Sequence, residues 1–229
     1  MIANKKEFGL GLGLFIAFWV TFAILLSPVF AGKNLLDYMD NLYNTISKKS
    51  SYYIPDVRKK TEVFRGQQTE LVVSAKDEKQ AERFAKLFQA GQAAANVEGK
   101  DVKVSGDLGI ILDNVLTDAD AMFSNNGKAL NQDKYGYEEK QVLYDWWNAM
   151  KSVETNLNKQ EKFKEAKVIN NVMTKAIEPA YNYYGIEAKD IKEEIGMVIF
   201  SLAGYVIYTM WYGFAILFMF EGWGMKLEH

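Results

Sequence analysis

The sequence of 229 residues contains no cysteine, and its only histidine is the last residue, His229. The lack of cysteine excludes disulfides, iron–sulfur clusters, thiolate zinc sites and cysteine nucleophiles. The lack of histidine elsewhere removes the usual general base, the commonest metal ligand and histidine-ligated haem. Few enzymes of this size work without either residue. We therefore expect a protein that is not an enzyme, with no catalytic residue, no bound metal and no cofactor.

Charged residues are missing from two long stretches, residues 8–31 and residues 195–220, of 24 and 26 residues. A helix needs roughly 20 apolar residues to cross a bilayer core. Both stretches therefore predict transmembrane helices, with residues 1–7 and 221–229 as short tails and residues 32–194 as the domain between them. The absence of charge inside the spans disfavours a proton relay, an ion pathway or a transporter.

Three lysines beside the spans, Lys5, Lys6 and Lys226, determine the predicted orientation. The positive-inside rule places both termini in the cytoplasm and the central domain in the periplasm, across a bacterial inner membrane. The N-terminal segment also resembles a secretory signal, because a small residue, Ala31, lies at the end of the apolar run, where a cleavage site would be expected. However, its apolar run is longer than the usual stretch of about 7–15 residues. We interpret the segment as an uncleaved anchor.

The segment between the spans carries 24 of the 27 Lys and Arg residues and 26 of the 29 Asp and Glu residues. Such a balanced domain lacks the basic surface typical of nucleic-acid binding, so no nucleic-acid partner is expected. A mild basic cluster near the first span consists of Lys48, Lys49 and residues 58–60. It indicates either a solvated face or contact with lipid phosphates.

Hydrophobic periodicity predicts helices over residues 33–65 and 137–194. We expect the first of these helices to continue the first span outward, and the last to run unbroken into the second span. Residues 124–137 are predicted to form a loop, and Pro179 is expected to interrupt a helix.

Residues 66–124 have a different character and predict a small α+β module with the order β-α-β-β-α. Asp77 caps its first helix, and Gly99-Lys100 forms the turn of its hairpin. The predicted fold is therefore a mainly α membrane protein. Two transmembrane helices extend into an extracytoplasmic helical bundle, which carries this α+β insertion.

Two adjacent tryptophans, Trp146 and Trp147, are candidate interaction residues of the central domain, because Trp is enriched in binding hot spots. Consecutive residues of a helix point about 100° apart, so the two rings do not share one pocket. The alternative is that one or both lie in the core. Asp118 and Asp120 suggest a calcium loop, but the segment lacks EF-hand spacing, so no metal site is predicted.

The spans contain further candidate interaction residues. Gly9 and Gly13 form a small-xxx-small pair that allows another helix to approach closely. The second span has a stripe of hydroxyl-bearing residues, which suggests that this helix packs against protein. The stripe consists of Ser201, Tyr205, Tyr208 and Tyr212.

These features favour a non-enzymatic, two-span accessory or assembly subunit of a membrane complex. Its expected partners are membrane lipid and either copies of itself or other membrane-protein subunits. The alternative is a periplasmic ligand-sensing module. Because its predicted tails are too short for an output domain, such a module would signal through a separate partner.

Overall fold

The computed structural model describes residues 2–30 and 32–225, except for the side chains of residues 132 and 133. These residues are mostly helical (71%), and they include a small antiparallel sheet of three strands. The chain divides into two compact units. We call them the hairpin unit (Met1–Ile46 and Ala188–His229) and the central unit (Ser47–Glu187). The prediction of a mainly α protein with a small β component is confirmed.

From the first strand to the helix after the hairpin, the elements follow the predicted order β-α-β-β-α. The elements are α1 (Lys5–Leu25), α2 (Leu35–Ser50), α3 (Ile54–Thr61), β1 (Gln68–Ser74), α4 (Glu78–Ala90), β2 (Ala94–Glu98), β3 (Asp101–Asp107), α5 (Leu108–Phe123), α6 (Lys128–Leu130), α7 (Glu139–Lys159), α8 (Phe163–Val172), α9 (Glu178–Asn182) and α10 (Ile191–Trp223).

In the hairpin unit, α1 and α10 are long and apolar enough to cross a membrane, as their sequences predict. The second span is one unbroken helix, whose first turn is capped by Asp190. The prediction that the first span continues outward as one helix is wrong. Helix α1 ends at Leu25, and Pro28 follows within the break. Helix α2 then starts afresh, with the Asn34 side chain accepting from the backbone N–H of Asp37 at 2.8 Å.

The sheet of the central unit has the strand order β1-β3-β2, and both pairings are antiparallel. Alternation along β1 and β3 buries one face, where Leu71 lies opposite Val104 and Val73 opposite Val102. Helices α4 and α5 contact the sheet and contribute to the same core. The other face is exposed. Helix α7 lies along the outer edge of β1, where the Ser152 hydroxyl accepts from the backbone N–H of Ser74 at 2.8 Å.

Two segments are more helical than predicted. Within residues 124–137, α6 and a π-helical turn (Asn131–Tyr135) replace the expected loop. A second π-helical turn (Met173–Ile177) follows α8 and leads directly into α9. Pro179 does not end the helical path, because it occupies the first turn of α9, where its missing N–H needs no partner.

Candidate interaction surfaces

Trp146 is fully buried in the central unit, so its predicted role as a binding anchor is corrected to a core role. Its ring packs edge-on against Phe88, with 5.5 Å between the centroids. Its indole Nε1 donates to Oδ2 of Asp118 at 2.8 Å. The residue lies on the face of α7 that is turned into the core, together with Val142, Leu143, Ala149, Met150 and Val153.

Trp147 points away from that core face and is only partly buried. Its indole Nε1 donates to Oε1 of Glu178 at 3.1 Å. The ring lines an apolar groove of about 270 Å³ together with Leu143, Ile177 and Tyr181. Trp147 therefore keeps its predicted status as a candidate interaction residue.

Helices α1 and α10 pack as an antiparallel pair at very short range. The backbone N–H of Asn4 donates to the carbonyl of Gly222 at 2.9 Å, so the start of α1 meets the end of α10. A Cβ added to Gly11 would lie 2.6 Å from the backbone nitrogen of Met219. A Cβ added to Gly222 would lie 2.4 Å from the backbone nitrogen of Phe8. Glycine at these two positions is therefore what permits the contact.

The predicted pair Gly9 and Gly13 does not take part in this contact. A Cβ at either position would meet nothing within 4 Å. Gly11, which lies between them in the sequence, faces α10 instead. The sequence pattern predicted close packing on α1 without naming the partner helix, and the contact with α10 uses Gly11. The predicted contact of Gly9 and Gly13 with a helix of another chain stays a prediction.

The hydroxyl stripe of the second span divides into two groups. The ring of Tyr208 stacks on that of Phe18 with 4.2 Å between centroids, and Tyr212 lies 5.0 Å from the same ring. The hydroxyl of Ser201 lies 2.7 Å from that of Tyr43 on α2. Among the described residues, none stacks on the ring of Tyr205 or bonds its hydroxyl, and this residue is 69% exposed. Three of the four residues therefore face the hairpin unit itself.

Trp211 adds a contact that the sequence reasoning missed. Its indole Nε1 donates to the backbone carbonyl of Leu14 at 3.1 Å. Leu14 lies within α1, where a carbonyl normally accepts from the helix itself, so the bond joins α10 directly to the backbone of α1. The position of Trp211 three residues after Tyr208 is the signal that would have placed it on the contact face.

Asp118 is the centre of a buried polar cluster. Its carboxylate accepts from Trp146 Nε1, from the Tyr135 hydroxyl at 2.6 Å and from Lys134 Nζ at 2.6 Å. The π-helical turn supplies Lys134 and Tyr135 side by side. Burial, together with the negative charge of Asp118, raises the pKa of Tyr135 above its ordinary value. The carboxylate is thus saturated by protein donors and acts as a structural acceptor.

A second buried carboxylate, Asp145, is saturated in the same way. It accepts from Gln80 Nε2 at 3.2 Å, from Gln141 Nε2 at 3.0 Å and from the Arg83 guanidinium. The carboxylate raises the pKa of Arg83, since it stabilises the charged guanidinium. In the part of the chain that the structure describes, no group of three or more His, Cys, Asp or Glu residues is arranged to hold a metal ion.

Lys48 does not belong to a solvated basic face, because it is 2% exposed. Its Nζ donates to Asn125 Oδ1 at 2.9 Å and to the carbonyl of Ile186 at 2.6 Å. It also lies 5.2 Å from the ring centroid of Phe123. Burial lowers its pKa below the ordinary value for lysine. Arg58, another member of the predicted basic cluster, is paired with Asp113.

Against this geometry, comparison with known proteins identifies no relative: no family model, curated protein or solved structure matches the chain.

Proposed function

We propose that this chain is a non-enzymatic, two-span accessory or assembly subunit of a membrane complex. In this proposal both termini lie in the cytoplasm, and the central unit lies on the periplasmic side of an inner membrane. The subunit acts through contacts with other protein chains, either copies of itself or different subunits.

The observation that carries this proposal is the exposed apolar surface of the two spanning helices. Only 11% of the apolar window of α1 and 6% of that of α10 are buried. Soluble monomers rarely expose continuous apolar surface on this scale. Lipid and neighbouring protein helices are the environments that suit it.

Tyr205 supports a protein neighbour within the membrane. It lies in the charge-free part of α10, and no described residue bonds its hydroxyl or stacks on its ring. A hydroxyl facing lipid tails lacks a hydrogen-bond partner, whereas a helix of another chain can supply one. Gly9 and Gly13 provide a second free position at which such a helix can approach.

The central unit supports a non-enzymatic role. Its two most deeply buried carboxylates, Asp118 and Asp145, are occupied by protein donors.

One observation favours the alternative function, a ligand-sensing module. The groove beside Trp147 is lined mainly by apolar and aromatic side chains, and its volume of about 270 Å³ suits a small molecule. In this alternative, a small apolar ligand would raise the melting temperature of the wild-type chain. Replacing Trp147 with alanine would abolish that rise.

The orientation can be tested with single cysteines, because the native sequence has none. Lys100→Cys places a thiol in the exposed turn of the β hairpin, and Lys6→Cys places one before the first span. We expect a membrane-impermeant maleimide to label Lys100→Cys in cells whose outer membrane alone is permeabilised. Lys6→Cys should react only after the inner membrane is opened. The reverse pattern would contradict the orientation.

The subunit role can be tested by extraction in a mild detergent, followed by mass measurement and identification of co-purifying chains. We expect the wild type to elute as a complex larger than a monomer. The double variant Gly9→Leu with Gly13→Leu should reduce that complex, because both positions are free of contacts with α10. The control Leu12→Ile, at an exposed position of the same helix, should leave it unchanged. A strictly monomeric wild type with no co-purifying chain would contradict the proposal.

A further inference from the structure

A continuous groove lies in the central unit, between the open face of the sheet and the outward side chains of α7. Three adjoining depressions of about 450, 410 and 520 Å³ form it. The first two share Val72 and Asn156. The second and third share Glu70, Ser105 and Gln160. We call this feature the β1–α7 groove.

The groove follows the whole of β1. Gln68, the first residue of the strand, lines one end, and Ser74, the last, lines the other. A strand rises about 3.3 Å per residue, so the groove is roughly 20 Å long. That length matches an extended polymer of about six residues better than a compact small molecule.

The lining is strongly positive. Five lysines and a single carboxylate, that of Glu70, line the groove, although the whole chain has a net charge of −2. The lysines are Lys76, Lys103, Lys151, Lys159 and Lys162.

Two of these lysines have carboxylate partners outside the lining, since Lys103 pairs with Glu98 and Lys151 with Glu154. Among the described residues, no carboxylate lies within ion-pair distance of Lys76 or Lys159. These two residues lie in the same depression at one end of the groove. Lys162 lines the opposite end together with Glu70, and it likewise forms no ion pair within the described residues.

The remaining polar groups suit an extended peptide. Side-chain amides both donate and accept, so they can pair with the N–H and C=O groups of a peptide backbone. Val72 and Tyr144 are exposed by 41% and 46% and offer an apolar contact in the same groove. The amide and hydroxyl residues of the lining that are at least partly exposed and are not already bonded to the edge of β1 include Gln68, Asn96, Ser105, Asn148, Thr155 and Asn156.

The edge of β1 itself is not the recognition element. The Ser152 hydroxyl accepts from the N–H of Ser74, and Gln160 Nε2 donates to the carbonyl of Glu70 at 3.2 Å. Because α7 lies along this edge and already bonds two of its backbone groups, a ligand would contact side chains and would not add a fourth strand there.

We propose that the β1–α7 groove binds an extended, acidic polypeptide segment of a partner protein. Glutamate or aspartate side chains of the partner pair with Lys76, Lys159 and Lys162, while the groove amides hydrogen-bond to its backbone. This inference rests on the proposed function, and it specifies the kind of partner segment that the central unit would bind.

The test uses the full-length chain in detergent micelles and a fluorescein-labelled octapeptide of alternating glutamate and serine. Binding is followed by fluorescence anisotropy at low ionic strength. We expect saturable binding that the triple variant Lys76→Glu, Lys159→Glu, Lys162→Glu weakens by at least about tenfold, because charge complementarity is reversed. The matched control, Lys86→Glu, Lys164→Glu, Lys167→Glu, makes the same charge change at exposed lysines outside the groove. It should bind within about twofold of the wild type.

No binding of the octapeptide, or equal weakening in both triple variants, would overturn the groove assignment. Polyphosphate or oligogalacturonate of matched charge should compete less well than the unlabelled octapeptide. Stronger competition by either one would overturn the peptide class. These outcomes can be distinguished from an outcome that contradicts the subunit role, because the subunit role is tested by the co-purifying chains and the mass of the extracted complex. A monomeric wild type that still binds the octapeptide would overturn only the subunit role.

Discussion

The indole Nε1 of Trp146 donates to Oδ2 of Asp118 at 2.8 Å, and both side chains are buried inside the central unit. The bond joins α7 to α5 across the core. The same carboxylate also accepts from Tyr135 and Lys134, so one residue holds three donors from two segments, α7 and the π-helical turn. Such a cluster stabilises a protein only while every member has its partner.

Replacing Asp118 with asparagine should therefore destabilise the central unit strongly. The amide keeps the shape of the side chain but loses the negative charge that pairs with Lys134. Its NH₂ group would also face the donors of neighbouring residues, where no acceptor is available. We expect the free energy of unfolding to fall by about 2–4 kcal/mol, measured by denaturant titration in detergent. The control Glu82→Gln, on the exposed side of α4, should change it by less than about 0.5 kcal/mol. Equal stability of the two variants would show that the cluster is not needed.

The contact between the spans should distinguish neighbouring glycines. Gly11→Ala places a methyl group 2.6 Å from the backbone nitrogen of Met219, which must move to admit it. We expect this variant to lose about 1–3 kcal/mol of stability through overpacking. Gly13→Ala meets nothing within 4 Å and should be neutral or stabilising in the same detergent. The comparison is a thermal melt of the purified chains, and a greater loss in Gly13→Ala would disprove the observed helix face.

Lys48 should give the protein a distinctive dependence on pH. Burial lowers its pKa in the folded state, so between that value and 10.5 the unfolded chain binds more protons. The free energy of unfolding therefore rises with pH across that window. At pH values below the window, the folded protein bears the full cost of burying the charged ammonium group. We expect Lys48→Met to lose this rise in denaturant titrations carried upward to pH 10.5. The exposed neighbour provides the control, since Lys49→Met should retain the wild-type slope.

The end of α7 offers a stabilising substitution. Glu161 has a φ of +60°, a conformation that favours glycine, and the N–H of Lys162 donates back to the carbonyl of Leu157 at 2.9 Å. Glu161→Gly should raise the free energy of unfolding by about 0.5–1 kcal/mol. Asn158→Gly, within the last helical turn, should lower it by a similar amount. If both variants lost stability, the left-handed backbone conformation of Glu161 would not be a source of instability.

Much of the fold followed from local sequence patterns. The two charge-free runs identified α1 and α10, and alternation and turn residues gave the order of strands and helices around Gly99-Lys100. The break after Leu25 was missed because an amphipathic pattern resumes soon after it, at Leu35. The helical turns within residues 128–135 were missed because Lys134 and Tyr135 are held by a distant partner, Asp118.

The candidate residues were harder to assign, since a sequence gives the spacing of side chains but not the rotation of a helix about its axis. Trp146 and Trp147 are adjacent, yet one is buried and the other lines a groove. The glycine that meets α10 is Gly11, not the pair on either side of it.

The sequence by itself determined the two membrane-compatible helices, the lack of cysteine and the order along the chain of the strands and helices in the small α+β module, because length, composition and periodicity are local properties. Only the tertiary structure decided that Lys48 is buried, that Asp118 and Asp145 accept hydrogen bonds from neighbouring donors, and that lysines distant in sequence line one groove. Those outcomes depend on side chains far apart in the chain, which meet only when the helices and strands pack.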